Sequence, residues 1–354
     1  MKKSCLSDKI AATLRGELAD GRYGPGRDFP SVDALRQRFG AGEYAVRHAL
    51  RRLRDEGLLI HRQGTGTMAT PKASCAFKGR VAFVCVGQSA DFFRSMLEIR
   101  LGERFGEAGY DFSALFIASA ADGELDLEPL RRLAMNGLRF VIIYAAERQV
   151  AEVCDSLALP YVVLNGYARE FPNAVAVIRE DFRECFVELI RVLRERGAKT
   201  VLEFDLERAM DRGFRRQLAD SGVALSSLRS MWDNALPYSV ADCKRTGRLI
   251  VANYFSKAHH RDNPPDVILF DDDYLAIGGL VALFEAGFRI PEDIGVVFYS
   301  NKGDEPVLGV EPTRIENDPA SYGDTIAAYV LKLLEGRRAA PPRIRWRFIR
   351  GASL

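Results

Sequence analysis

No run in this 354-residue sequence approaches the roughly 20 apolar residues that a membrane-crossing helix needs. The opening segment MKKSCLSDKIAATL carries two lysines, but Asp8, Lys9 and Arg15 interrupt what would have to be an apolar signal core. A cytoplasmic chain with no membrane partner is the expectation. The six cysteines (Cys5, Cys75, Cys85, Cys154, Cys185 and Cys243) include no Cys-x-x-Cys pair, which argues against a disulfide framework or a zinc cluster. Cys85 and Cys154 lie inside apolar stretches and read as buried thiols. Histidine is scarce as well, and His259-His260 runs into Arg261-Asp262-Asn263-Pro264-Pro265, a loop composition. No metal and no cofactor is expected.

What is present is an ordinary globular composition, 47% hydrophobic and 28% charged, long enough for two or three domains with separate cores. The net charge of +2 conceals an asymmetry: residues 1–70 hold 13 Lys and Arg against 8 Asp and Glu, the remainder 37 against 40. The positive excess suits a polyanion partner for the amino-terminal piece, although a solvated basic surface would give the same count.

The segment Asp28–Thr67 decides between them. Ser31 is placed to cap a helix over Val32–Phe39, and Pro30 disfavours an earlier start. Gly40 and Gly42 supply a turn, since glycine takes positive φ without steric cost. A second helix is predicted from about Glu43 to Glu56, with Val46, Ala49, Leu50 and Leu53 on a buried stripe and Arg47, Arg51 and Arg54 on a basic one. Gly57 ends it, Leu58-Leu59-Ile60 begins a strand, and Gln63-Gly64-Thr65-Gly66 turns a hairpin. Leu6, Ile10, Leu14 and Leu18 suggest a further helix packed on these two. A helix that buries one face and shows arginines on the next is built to lie in a major groove. The expectation is a winged helix-turn-helix over residues 1–69 that binds double-stranded DNA. Arg47 and His48, with Tyr44 and Glu43, would face base edges. Arg51 and Arg54, with Arg62 and Thr65 near the wing, would hold phosphates, and Ser31, Gly64 and Gly66 complete the contact set.

These residues carry a family resemblance. Gly24-Pro25-Gly26, Phe29-Pro30-Ser31, Val46-Arg47-His48-Ala49-Leu50, Leu53, Glu56-Gly57-Leu58-Leu59 and Gly64-Thr65-Gly66-Thr67 together make the segment resemble the GntR family of bacterial transcription regulators. Two departures stand out. Val32 occupies a place that is usually acidic, and Gly42-Glu43 replaces the usual Ser-Arg at the start of the second helix. A carboxylate near phosphates costs affinity, while it can also accept a bond from a cytosine amino group. The family's operator sequence is therefore not carried over.

After a polar linker over residues 70–79 the texture changes to alternating strands and helices. Strands are predicted at Val81–Val86, Phe112–Ile117, Phe140–Tyr144, Tyr161–Leu164, Val175–Ile178, Thr200–Phe204, Val267–Phe270 and Gly295–Phe298. Helices are predicted at Phe92–Ala108, Leu127–Met135, Glu147–Leu157, Asp181–Arg196, Glu207–Ser221, Val240–Phe255 and Tyr274–Ala286. Two such series imply an α/β body of two doubly wound, parallel-sheet lobes over residues 80–354. Lobe one is expected from about 80–166 with 297–317, and lobe two from about 175–294 with 320–354. Ligands of such lobes bind off the strand ends, between them.

Asp272-Asp273-Tyr274-Leu275-Ala276-Ile277-Gly278 continues into Ala286-Gly287 and Ile290-Pro291-Glu292-Asp293-Ile294-Gly295, with Pro312-Thr313, Asp318-Pro319 and Gly323 further on. These residues resemble the LacI-type effector domain, which has the periplasmic-binding-protein type I fold. A GntR-like head on a LacI-like body is similar to the arabinose-repressor type of regulator. The resemblance implies a homodimeric repressor of carbohydrate-related genes, with a sugar-like effector between the lobes. Its effector-binding set would include Asp91, Phe92, Asn165, Arg208, Trp232, Asp272, Asp273 and Asn301. For Asp273 the competing role is a plain helix cap, and for Phe92 and Trp232 plain packing. The family's arginine three residues before the glycine matching Gly213 is Met210 here, flanked by Arg208 and Arg212. Its Gly-Phe-Asp after the last central strand is replaced by Phe298-Tyr299-Ser300-Asn301. The pocket is therefore rebuilt, and a non-sugar ligand, or a body that only dimerises, is the alternative. A remoter one is a Mg²⁺-dependent phosphatase of the haloacid-dehalogenase type using Asp271 and Asp273, although Leu275 stands where that chemistry expects Thr or Val. The expectation is a regulator, not an enzyme.

Overall fold

The computed structural model describes residues 6–19, 22–23, 29–62, 66–70, 78–86, 91–117, 123–145, 147–205, 212–229, 239–306 and 308–354. In the head, α1 (Leu6–Ala19), α2 (Val32–Phe39) and α3 (Glu43–Asp55) are followed by the antiparallel pair β1 (Leu59–Arg62) and β2 (Gly66–Ala69). Ser31 Oγ accepts the Ala34 N–H at 3.2 Å, and Gly40 closes α2 at φ 54°. Val46, Ala49, Leu50 and Leu53 are buried against Ile10, Leu14, Leu18 and Leu35. Leu6 departs from the expected stripe. It is the first residue of α1 and is 47% exposed, while Ala11 joins the core instead. The strand starts at Leu59, one residue late, because Leu58 still donates its N–H to Leu53 O at 2.9 Å, closing α3 with Gly57 at φ 72°.

The body begins with β3 (Arg80–Val86), α4 (Phe92–Glu107), β4 (Asp111–Ile117), α5 (Glu128–Ala134), β5 (Leu138–Ile143), α6 (Arg148–Ser156), β6 (Tyr161–Leu164) and β7 (Ala176–Ile178). Short β8 (Glu180–Asp181) leads into α7 (Arg183–Arg196), β9 (Thr200–Asp205), α8 (Arg212–Asp220), β10 (Ala224–Arg229), α9 (Val240–Phe255), α10 (Ala258–Asp262), β11 (Val267–Phe270) and α11 (Asp273–Glu285). Then come β12 (Gly295–Asn301), β13 (Thr313–Asn317), α12 (Pro319–Leu334), β14 (Ile344–Arg345) and β15 (Arg347–Ile349). One parallel sheet runs β4-β3-β5-β6-β7; the other runs β10-β9-β11-β12-β13-β15, parallel except for β15. β8 and β14 pair with each other.

This pairing corrects the expected lobes in three places. Residues 176–178 hydrogen-bond to β6 and so belong to lobe one. Residues 297–317 belong to lobe two, since β12 pairs with β11 and β13 with β12. α12 returns to lobe one, where Tyr322, Ile326 and Val330 are buried with Leu97 and Leu101, and Asp324 pairs with Arg100 at 2.9 Å. The reason is common to all three. Parallel pairing joins residues distant in sequence, so the order of strands does not say which sheet each one enters. The chain consequently crosses between lobes near residues 179–182, 317–319 and 345–347.

Local differences also have causes. The helix expected from Asp181 starts at Arg183, because Asp181 Oδ1 accepts the Arg183 N–H at 3.2 Å from within β8. His259-His260, expected in a loop, lies in α10, where His260 Nδ1 meets Tyr254 O at 2.8 Å. β10 went unforeseen because ALSSLR is short, half-polar and at a sheet edge. The 207–211 part of the helix expected over Glu207–Ser221 lies outside the described residues.

Gly278 of the Asp-Asp-x-x-Ala-x-Gly motif has a packing role. A Cβ there would collide with Lys244 O of α9, and one on Gly247 with Leu275 O of α11, so the two backbones meet directly. Gly278→Ala is expected to lower stability by about 1–3 kcal/mol, read as a drop in thermal midpoint. Gly106→Ala, at an exposed α4 site with nothing within 4 Å of the added carbon, should leave the midpoint unchanged or slightly raised.

Candidate functional site

In the head, the buried stripe of α3 orients everything else on it. Glu43, Tyr44, Arg47, His48, Arg51 and Arg54 are all exposed, Tyr44 by 84%. Arg47 Nε is held by Glu43 Oε1 at 2.7 Å, and the Tyr44 ring stacks on His48 with centroids 6.2 Å apart. Arg52, by contrast, is turned back onto Asp8 at 2.6 Å. The residues offered to a partner are thus the ones on the expected face, with one arginine engaged by a carboxylate. Ser31 uses its hydroxyl for the cap, and Gly66 opens β2 at φ 84°. Gly64, Thr65 and the Arg62 side chain lie outside the described residues.

In the body, a cavity of about 270 Å³ opens where the strand ends of both lobes face each other. Lobe one contributes Asp91 and Arg94, and lobe two Asp271, Asp272, Asp273, Tyr299, Ser300 and Asn301. Glu180, Asn317 and Trp346 come from the three crossings. Asp91 caps α4, accepting the Arg94 N–H at 2.7 Å, and its other oxygen takes Arg94 Nε at 2.7 Å. The cap of α11 is Asp272, not Asp273: Asp272 accepts the Leu275 N–H at 2.9 Å. Asp273, only 4% exposed, takes the Tyr274 N–H at 3.0 Å and Asn301 Nδ2 at 3.0 Å. Burial, and then the charge of Asp272, push its carboxyl up to about 7, against the opposing pull of Asn301.

One contact ties the lobes together, and one aromatic residue stands at a crossing. Tyr274 of lobe two accepts the Phe92 N–H of lobe one at 3.1 Å and donates to Asp304 at 3.2 Å. Trp346 sits between β14 and β15, packed on Phe182 and Tyr299 with centroids 5.0 and 5.7 Å away. Its buried indole N–H has no acceptor among the described residues.

Of the expected effector-binding residues, Asp91, Asp272, Asp273 and Asn301 line the cavity together. Phe92 does not. It is the first residue of α4, its edge lies against Gly303, and the neighbouring Phe93 takes the wall. Asn165 does not reach the cavity either. At φ 61° it turns its Nδ2 to Glu180 at 3.2 Å and so positions a residue that does. Arg208 and Trp232 fall outside the described residues. Arg94, Glu180, Asn317 and Trp346 were missed. Arg94 was signalled by its i,i+3 spacing from Asp91, while the other three meet only through the crossings. The phosphatase alternative gains nothing from the lining, which among the described residues contains Asp271 and Asp273 but no lysine.

Comparison with known proteins agrees with the two-part organisation of the chain. Residues 6–68 match the family of bacterial regulatory proteins, gntR family, and residues 191–354 match the periplasmic binding protein-like domain. The chain is 23% identical over 333 residues to an arabinose metabolism transcriptional repressor of Geobacillus stearothermophilus, covering 90% of this chain and 88% of that one. Among solved structures, the lac repressor dimer bound to operator and the anti-inducer ONPF superposes with a TM-score of 0.63 at 15% identity, over 77% of this chain and 93% of the other. A LacI family regulator from Arthrobacter sp. FB24 in complex with lactose gives 0.60 at 17% identity, over 78% and 99%.

The raised Asp273 carboxyl makes a pH prediction. Its folded value lies above the ordinary one, so the folded state binds that proton more tightly, and stability falls as pH climbs from about 4 to about 7. Asp273→Asn should therefore stabilise the fold at about pH 8, by on the order of 1–4 kcal/mol, seen as a raised thermal midpoint. The gain should shrink towards about pH 5, which parallel melts of the two proteins would read.

Proposed function

We propose that this chain, a gntR-type winged helix-turn-helix head on a LacI-type, periplasmic-binding-protein-like body, is a ligand-responsive transcriptional repressor of carbohydrate-related genes. The observation that carries the proposal is the pairing, within one chain, of an arginine-faced α3 with a cavity whose polar groups come from both lobes. The name of the Geobacillus relative and the lactose bound to the Arthrobacter structure support a sugar-related role.

Arg47, His48, Tyr44 and Glu43 read base edges, and Arg51, Arg54 and Arg62 with the Gly64-Thr65-Gly66 wing hold phosphates. An effector touching Asp91 and Arg94 on one side and Asp272, Asp273 and Asn301 on the other favours the closed arrangement of the lobes. It can shift DNA binding only as far as it prefers that state. The chain acts as a cytoplasmic homodimer, since two heads on a palindrome add their contacts. Leu249 of α9 and Val281 and Phe284 of α11, each 42% or more exposed on adjoining helices, suit a subunit contact.

The direct test is binding of the purified protein to promoter fragments of its own genome at two salt concentrations. A salt-sensitive preference for particular fragments is expected, and its absence would overturn the proposal. Arg47→Ala should weaken operator binding by about 1–3 kcal/mol. Glu43→Ala should strengthen binding to unrelated DNA and flatten the preference among operators, measured by fluorescence anisotropy on matched duplexes. Asp273→Ala should lose the effector response with operator affinity retained; joint loss of both would point to misfolding instead.

A further inference from the structure

We infer that Glu43 and Arg47 act as one unit that reads a single G·C base pair in the major groove. Arg47 takes the guanine and Glu43 the cytosine paired with it, which rests on the DNA-binding reading above. The two residues stand four apart, so their side chains leave α3 on the same face. Glu43 Oε1 accepts from Arg47 Nε at 2.7 Å, and no group among the described residues bonds Arg47 Nη1 or Nη2. The guanidinium is planar, so holding it at Nε sets its plane and leaves the Nη1–Nη2 edge for a partner. Glu43 Oε2 stands 4.0 Å from Arg36 Nη1 of α2, which is itself bonded to Asp33 at 3.1 Å. The carboxylate is thus placed from two helices, with capacity for a further donor.

A partner therefore meets two N–H donors beside a carboxylate acceptor. A G·C pair presents the complement across its major-groove edge: guanine N7 and O6 as acceptors, then the cytosine N4 amino group as donor. An A·T pair presents acceptor, donor, acceptor in the same order. The second guanidinium donor would then face the adenine amino group, and the carboxylate would face thymine O4. Both contacts fail together, which is why the two side chains discriminate as a unit.

The rest of α3 sets this pair apart. Arg52 also has a carboxylate four residues on, Glu56 at 3.6 Å, but both are drawn back onto α1, Arg52 to Asp8 at 2.6 Å and Glu56 to Arg15 at 2.6 Å. Arg54 Nε turns to the Leu50 carbonyl at 3.4 Å. The pair at Glu43 remains on the open face, next to the exposed Tyr44 and His48 rings. A carboxylate there repels the phosphates of every duplex, so it weakens binding without regard to sequence. A bond to cytosine N4 offsets that loss at one base pair and leaves it in force everywhere else. An exposed ion pair of this kind adds little stability, and its consequence lies in what it selects.

The test is selection of bound duplexes from a random library by the full chain, in wild-type form and as Glu43→Ala and Arg47→Ala. The wild type is expected to enrich a motif with a fixed G·C pair, and both variants should lose preference at that same pair alone. On duplexes that differ only there, the wild type should prefer G·C over A·T by at least about fivefold, and each variant by less than about twofold. N4-methylcytosine at that pair removes the amino hydrogen facing the groove. It should weaken wild-type binding at least about fivefold and leave Glu43→Ala unaffected. Loss of preference at two different pairs, an unchanged motif in Glu43→Ala, or equal weakening of wild type and Glu43→Ala by the methyl group would overturn the inference. Should a variant fail to melt cooperatively, the N4-methylcytosine comparison on the wild type decides: weakening supports the inference, and unchanged binding overturns it. A motif lacking the shared G·C position sinks only this inference. A library that yields no motif sinks the repressor reading as well.

Discussion

The direct backbone approach of α9 and α11 governs where the body's chemistry can stand. With glycine at 247 and 278, the two helices close to contact, and the amino end of α11 is pinned at the edge of the cavity. Asp272 is then fixed as the cap, Asp273 is driven inward, and Tyr274 is left to reach the opposite lobe. Side chains larger than hydrogen at those two positions would push α11 outward and move all three acidic and phenolic groups together. The polar residues of the motif are its visible part, while the small ones determine their geometry.

Much of this could be read before any coordinates. The head is specified locally, by a cap at Ser31, a left-handed turn at Gly40 and a stripe repeating at helical spacing, so its helices fall close to where the pattern puts them. The same holds for buried strands such as β3 and β11, whose continuous apolar runs leave little choice. What the sequence hid was assembly. Membership of a lobe depends on which strand pairs with which, and neither β13 nor α12 carries a mark of the sheet it joins. The cavity follows the same rule. Asp272, Asp273 and Asn301 flank strands that announce themselves, but Glu180, Asn317 and Trp346 lie on crossings and come together only when both lobes are built. Phe92 failed for a finer reason: one residue of helical phase, about 100° of rotation, exchanges a wall residue for its neighbour.

The two halves of the molecule use carboxylates in opposite ways. On α3, Glu43 holds Arg47 in water, at little energetic cost and in a form that a competing phosphate or base can displace. In the cavity, Asp273 is shielded from water and held by neutral donors, so its charge is expensive and its protonation responds to whatever enters. Under the proposed function, the first arrangement tunes selectivity among duplexes. The second ties the protonation of a buried carboxyl to its surroundings in the cavity.

β8 and β14, two of the three passages between lobes, are hydrogen-bonded side by side into a narrow ribbon. Such a ribbon bends and twists readily but resists stretching, because its backbone bonds keep the two passages in register. Relative movement of the lobes is thereby reduced to something like a door on a single axis. Any molecule caught across the gap reports on one angular coordinate, whatever its own shape.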